Sequence, residues 1–289
     1  MSSNPIDGDV EDVEQEIIDL EARLALAKQK LKITKPPLPP PPKPSSSLTL
    51  SNHYLLLLSD SALPLGSFAF SSGLESYLAH TRGRSSFAVF LPESISAYAS
   101  TTLPFVLAAH RHPDSVATLD DTLDAAIICT VGRRASMAQG RALLSIWERS
   151  FAPSLPAPAV AVLQPYAAQL KAASRAQQGD ESADPPLVFA HLAPLFGAIC
   201  NLVGLSLQQT AYVFMMGHVK ALISAAVRAS MFGPYQAQKV LASGLVRDTI
   251  AAAMDREWET PVEKAGQTMP VMDLWIGRHE VLYSRIFNS

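Results

Sequence analysis

Two groups of polar residues in this chain have the types and spacing for chemistry. Asp120, Asp121 and Asp124 form a DDxxD pattern. On a helix their carboxylates fall near one face, the arrangement that holds magnesium against a diphosphate. An enzyme of that kind needs a second acidic cluster on a facing helix and aromatic walls. Here the other acids are scattered, and aromatic residues make up 7% of the chain. Acids close to a helix start also stabilise its dipole, so the plainer reading is a solvated helix face. His110, His112 and Asp114 carry donors that suit nickel or zinc. Arg111 and Pro113 intervene, however, and i, i+2 residues do not share a helix face, which favours a polar helix end. His218 falls on an apolar stripe and reads as a hydrogen-bonded core histidine. The sequence contains no GxxxxGK(S/T) phosphate loop, no GxGxxG, no GxSxG elbow and no HExxH. Nothing nominates a nucleophile with its base.

The elements that must position these groups are helices. Alanine is frequent, valine and isoleucine are sparse, and alternating runs are absent, so the fold class is all-α. The pattern predicts helices near 49–60, 71–80, 92–112, 114–128, 131–150, 160–177, 188–203, 206–231 and 235–256, a bundle of about eight to ten. Ser206 to Gln209 fits a capping box, and Pro234 follows the breaker Gly233 at a helix start. With 289 residues, 48% hydrophobic and 17% charged, the chain has ample material for a core. A net charge of −3 argues against nucleic acid as a partner. The uncharged stretch from Leu187 to Val219 is broken by Pro194, Gly197, Gly204 and two glutamines, so it reads as buried core helices and not as a membrane span. Two cysteines, Cys129 and Cys200, make no disulfide framework, and the acidic start has no apolar signal core. A reduced, cytoplasmic protein is expected.

Three regions follow from composition. Residues 1–34 contain Val10, Val13, Ile17, Leu20, Leu24, Ala27 and Leu31 on an a/d heptad, acidic early and basic late. This is either a short coiled coil or a lone amphipathic helix. Residues 35–47, KPPLPPPPKPSSS, read as a stiff polyproline spacer. Residues 48–289 form the main domain, with a mobile Pro/Ala-rich insertion expected near 152–186.

Within that domain the stretch from Leu55 to Glu75, LLLLSDSALPLGSFAFSSGLE, reads as helix, turn, helix. Pro64 and Gly66 break the chain, and Ser71 or Ser72 can cap the helix that follows. The residues Ser61, Leu63, Pro64, Gly66, Phe68, Ser71, Gly73, Leu74 and Glu75 resemble the N-terminal signature of the UreF family of urease accessory proteins. Three further pieces agree in order: Arg133-Arg134 with Gly140; Val227 to Gly233 followed by Gln236 and Gln238; and the RHEVLYSRIFNS tail, Arg278 to Ser289. Met231 stands where the family often has proline, and Pro234 where it often has glutamine. The insertion and the N-terminal extension point to a eukaryotic, fungal type of member.

The resemblance implies an all-α, non-enzymatic chaperone that forms a homodimer. It implies binding to a UreD/UreH-type protein, recruitment of a UreG-type GTPase, and delivery of nickel to apo-urease. No cofactor is expected on this chain itself, since nickel and GTP are handled by the complex. The expected interface residues are Arg228, Phe232 and Gly233, and in the tail Arg278, His279, Glu280, Tyr283, Ser284, Arg285 and Phe287. Tyr283 and Phe287 are expected to be buried as anchors on a partner, so that deleting 278–289 removes binding and leaves the core folded. The rival from another class is a magnesium-dependent helical enzyme carried by Asp120, Asp121 and Asp124.

Overall fold

A computed structural model describes residues 6–34, 46–81, 83, 85–179 and 188–288 of the chain. It divides into two units, Met1–Pro44 and Ser45–Ser289. The first contains one helix, α1 (Ile6–Thr34). The second contains eleven α-helices among its described residues: α2 (Ser46–Ser59), α3 (Leu74–Thr81), α4 (Phe87–Arg111), α5 (Val116–Ala126), α6 (Thr130–Ile146), α7 (Ala157–Gly179), α8 (Leu192–Leu202), α9 (Leu207–Arg228), α10 (Pro234–Leu241), α11 (Gly244–Glu257) and α12 (Pro270–Arg278). No strand occurs among the described residues, and the all-α expectation holds.

Helix α4 is the central post, packing against α8, α9 and α11. Phe90, Leu91, Ile95, Leu103, Phe105, Val106 and Leu107 are all buried along it. Each such side chain removed from water stabilises the fold by about 1.5–3 kcal/mol before conformational entropy is subtracted. Helix α8 is buried from Leu192 through Cys200 without a polar face, as a helix surrounded by others must be. Helix α9 opens on the expected capping box: Ser206 Oγ accepts from Gln209 N at 3.2 Å, and the Gln209 side chain accepts from Ser206 N at 2.9 Å. By length and composition α9 could cross a membrane, yet 61% of its apolar window is buried among the other helices. The uncharged stretch is thus α8 and α9, two core helices.

The structure departs from the sequence-based expectations at three places. The single helix predicted over 235–256 is two, because Ser243 ends one and caps the next, its Oγ accepting from Val246 N at 3.4 Å. Helix α12 was not predicted. It runs nine residues with Met272 buried while Val271 and Leu274 stay exposed, so its apolar period is weak. The expected insertion at 152–186 is largely α7, which places Leu163 and Tyr166 in the core; residues 180–186 lie outside the described residues. Most of the proline-rich spacer, residues 35–45, also lies outside them.

Candidate partner-docking site

The corner at 60–75 is built from local turn chemistry. Asp60 Oδ1 accepts from Ala62 N at 2.9 Å, and Gly66 adopts φ 74°. Ser67 donates to Gln139 Oε1 of α6 at 2.9 Å, which ties the turn to the bundle. Ser72 and Gly73 then take positive φ, 49° and 86°, and turn the chain into α3. Gly73 is required twice over. Its left-handed backbone disfavours a side chain, and a Cβ there would lie 3.0 Å from Ile276 N and from Trp275 Cβ of α12. Ser71 Oγ accepts from Glu75 N at 3.4 Å in the first turn of α3.

Glu75 is the hub of this corner. Its side chain is nearly buried, and its two oxygens accept from His279 Nε2 at 2.8 Å, Ile286 N at 2.6 Å and Phe287 N at 3.2 Å. A buried carboxylate needs such donors, and here they come from one returning segment. Asn288 N donates to Ala69 O at 2.8 Å, closing the tail onto the turn from the other side. Arg228, in the last turn of α9, donates to Phe68 O and to Ser224 O, and its guanidinium lies 4.4 Å over the Phe287 ring. A cation stacked on an aromatic face and bonded to carbonyls fixes both neighbours at once. Corner, α9 end and tail, more than 200 residues apart at their extremes, are one structural unit.

The structure distributes the sequence-derived site residues as follows. Arg228, His279 and Phe287 meet at this corner with Phe68, Ser71, Gly73, Leu74 and Glu75. Glu280 pairs with Arg134 of α6. Ser61, Pro64 and Phe68 are exposed on the turn, and Leu63 is half-buried against the core. Arg278, Tyr283, Ser284 and Arg285 are exposed, Tyr283 completely. Phe232 and Gly233 belong instead to the α9–α10 connection, where Phe232 packs edge-on to Phe87 at 5.1 Å and Gly233 precedes α10. The expectation that both tail aromatics wait for a partner therefore divides. Phe287 is 4% exposed within its own chain, while Tyr283, Ile286 and Phe68 remain in solvent. Sequence reading missed Glu75 as the hub and missed the backbone donors of Ile286 and Phe287. The only sequence signal was a glutamate placed directly after the Gly-Leu turn, among otherwise apolar neighbours.

The acidic triplet has a different fate from either expectation. Asp120 is fully buried, accepting from Phe189 N at 2.5 Å, Ala190 N at 3.1 Å and His191 N at 2.6 Å. Asp124 takes both nitrogens of the Arg133 fork, at 2.5 and 2.6 Å, and His191 Nε2 at 3.0 Å. Burial works to raise the Asp124 pKa, but hydrogen bonds from Arg133 and His191 outweigh it and hold the carboxyl below its ordinary range. Ser136 closes the network through His191 Nδ1 at 3.0 Å. Only Asp121 faces solvent. This is neither a solvated face nor a diphosphate site, because two of the three carboxylates are committed to their own chain.

The histidines are likewise engaged. His110 Nε2 bonds Leu205 O at 2.9 Å, and burial lowers its pKa, whereas His112 and Asp114 are exposed. His218 lies 3.0 Å from Ser94 Oγ and stacks on Tyr98 at 4.0 Å, with burial pushing its pKa down to about 3. It is the neutral core histidine expected. Tyr98, Cys129, Ser136, Gln139 and His218 border a cavity of about 280 Å³. Among the described residues no three His, Cys, Asp or Glu side chains come together in a way that could hold a metal ion.

A family model described as UreF matches residues 81–244. A Schizosaccharomyces pombe protein described as "Uncharacterized urease accessory protein UreF-like" is 35% identical, over 82% of this chain and 97% of its own length. "Urease accessory protein F" of Oryza sativa subsp. japonica is 32% identical, over 80% of this chain and 82% of its own. "Urease accessory protein UreF" of Paenarthrobacter aurescens is 30% identical, over 80% and 95%. The corner and the tail both fall outside the span of the family model, so the structure ties them to it and the pattern match does not. With a match across more than half its length and relatives covered over 82% to 97% of theirs, this chain belongs to the UreF family of urease accessory proteins.

Proposed function

We propose that this chain is a non-catalytic scaffold in urease maturation. It binds a UreD/UreH-type accessory protein and recruits a UreG-type GTPase for delivery of nickel to apo-urease. In this reading the chain works in the cytoplasm as a homodimer, the GTPase partner hydrolyses GTP, and nickel is the cargo of the assembly. One observation carries the reading: three motifs far apart in sequence converge on a corner that is hydrogen-bonded inside and apolar outside. Glu75, His279, Arg228 and Phe287 lock its geometry. Phe68, Tyr283 and Ile286 remain uncovered at its rim, with Arg278 and Arg285 on the same tail. Exposed aromatic and aliphatic anchors flanked by arginines, preorganised by the residues beneath, are what a protein interface uses for affinity.

The test is size-exclusion chromatography with light scattering on the protein alone and mixed with UreD/UreH-type and UreG-type partners. A mass near twice 31.1 kDa alone, rising to a larger complex with both, is the expected result. Tyr283→Ala with Arg285→Glu changes only exposed side chains and should abolish the larger complex without altering thermal unfolding. A monomer that ignores both partners removes the proposal.

A further inference from the structure

Helix α1 lies outside everything assigned so far. From Val13 to Lys30 every residue is exposed, including the seam residues Val13, Ile17, Leu20 and Leu24, each at least half in solvent. An apolar seam at 3.5-residue spacing is built to be covered by another helix. The charges beside the seam say which helix. Glu14, Glu21 and Lys28 lie on one flank of the heptad, and Glu16, Arg23 and Lys30 on the other, so each flank changes sign along the helix. Set against a second copy in parallel, Glu16 meets Glu21 and Arg23 meets Lys28, like against like on both sides of the seam. Reversed, with Leu20 opposite Leu24 of the second copy, Ile17 meets Ala27, Glu14 meets Lys28 and Glu16 meets Lys30, each twice by symmetry. Only Glu21 and Arg23 then face their own counterparts, at the centre.

We propose that α1 pairs with α1 of a second copy of this chain as an antiparallel two-helix coiled coil. This pairing requires neither the partners proposed above nor any contact between copies made by residues 45–289. The large Ile17 against the small Ala27 forms one layer and the paired leucines the central ones. Exposed Ile18 and Leu26 fall outside the seam.

Disulfide trapping in the full-length protein separates the orientations. Cys200 is buried and can stay, while Cys129 is replaced by serine. Ile17→Cys and Ala27→Cys are then oxidised gently, each alone and as a mixture. In the antiparallel pair residue 17 faces residue 27, while each is about 15 Å along the axis from its own counterpart, beyond disulfide reach. The expected result is a crosslinked dimer in the mixture and little in either variant alone. Lys28→Glu with Lys30→Glu should reduce that crosslinking at least tenfold, and adding Glu14→Lys with Glu16→Lys should restore it. Crosslinking of each variant with itself would mean a parallel pair and overturn the proposal. Absence of crosslinking in the mixture, with circular dichroism showing the variants folded, would mean a different occupant and overturn it equally.

Discussion

Asp120 and Glu75 solve the same problem in two places. Each is a carboxylate drawn into the protein, each accepts from the backbone of a segment returning from far along the chain, and each has a histidine in its network. Around Asp120 the network closes on itself: the 189–191 segment, His191 and Arg133 engage Asp120 and Asp124, and of the three aspartates Asp121 alone is exposed. Around Glu75 the same pinning leaves a rim of Phe68, Tyr283 and Ile286 in water. Anchoring chemistry is therefore common to both regions and does not set them apart. What distinguishes the second is that its anchor supports apolar surface the protein itself leaves uncovered.

The largest expected effect belongs to the inward region. Asp120→Ala strands three buried amide donors, and chemical denaturation should show a loss of about 3–5 kcal/mol. A loss under about 1 kcal/mol would mean that the 189–191 segment is held by something else. Glu75→Ala should cost somewhat less, about 2–4 kcal/mol, because part of its network is near the surface. It should also lose partner capture, which Asp120→Asn, if folded, should retain. Should both variants lose capture in proportion to stability, the distinction between the two regions disappears.

His218 gives the interior a pH signature. Its neutral form is buried with a pKa of about 3, while the unfolded chain titrates near the ordinary 6.5. The unfolded state therefore binds the proton first as the medium is acidified. Stability is fully present above about pH 6.5 and falls by about 1.4 kcal/mol per pH unit on the way toward 3. Unfolding free energies at pH 7 and 5 should differ by about 2 kcal/mol from this residue, and His218→Gln should flatten that part of the profile. Gly73→Ala should cost about 1–2 kcal/mol through its positive φ and its contact with α12. The smallest stability effect is expected for Arg228→Ala, under about 1 kcal/mol on an exposed residue. Its partner binding should nevertheless drop at least tenfold, and Arg228→Lys should recover little of it, since an ammonium cannot stack on Phe287 while bonding Phe68 O.

Local signals in the sequence predicted local structure well. Ser206 with Gln209, Gly233 with Pro234, and the apolar run of α8 each announce a helix boundary or core helix by rules that operate within a few residues. Asp120 was misread because a carboxylate in the first turns of a helix looks alike whether its face meets water or a returning loop. That choice is made by residues 189–191, which carry no pattern of their own. The same limit hid Glu75, whose donors are the backbone amides of Ile286 and Phe287, and amides have no residue identity to read. The tail was legible as a motif, but its division into an inward Phe287 and an outward Tyr283 depends on Arg228 and Glu75 being there to receive one and not the other.

The tie from Glu75 to Phe287 spans 212 positions and has a kinetic consequence. A contact between residues so distant in sequence carries a loop-closure cost that slows folding unless the intervening helices have already drawn the ends together. The uncovered rim at Phe68 and Ile286 therefore takes its shape from a contact whose loop-closure cost is among the largest the chain can incur. A chain that has collapsed without closing this tie carries the same hydrophobic residues in no fixed arrangement.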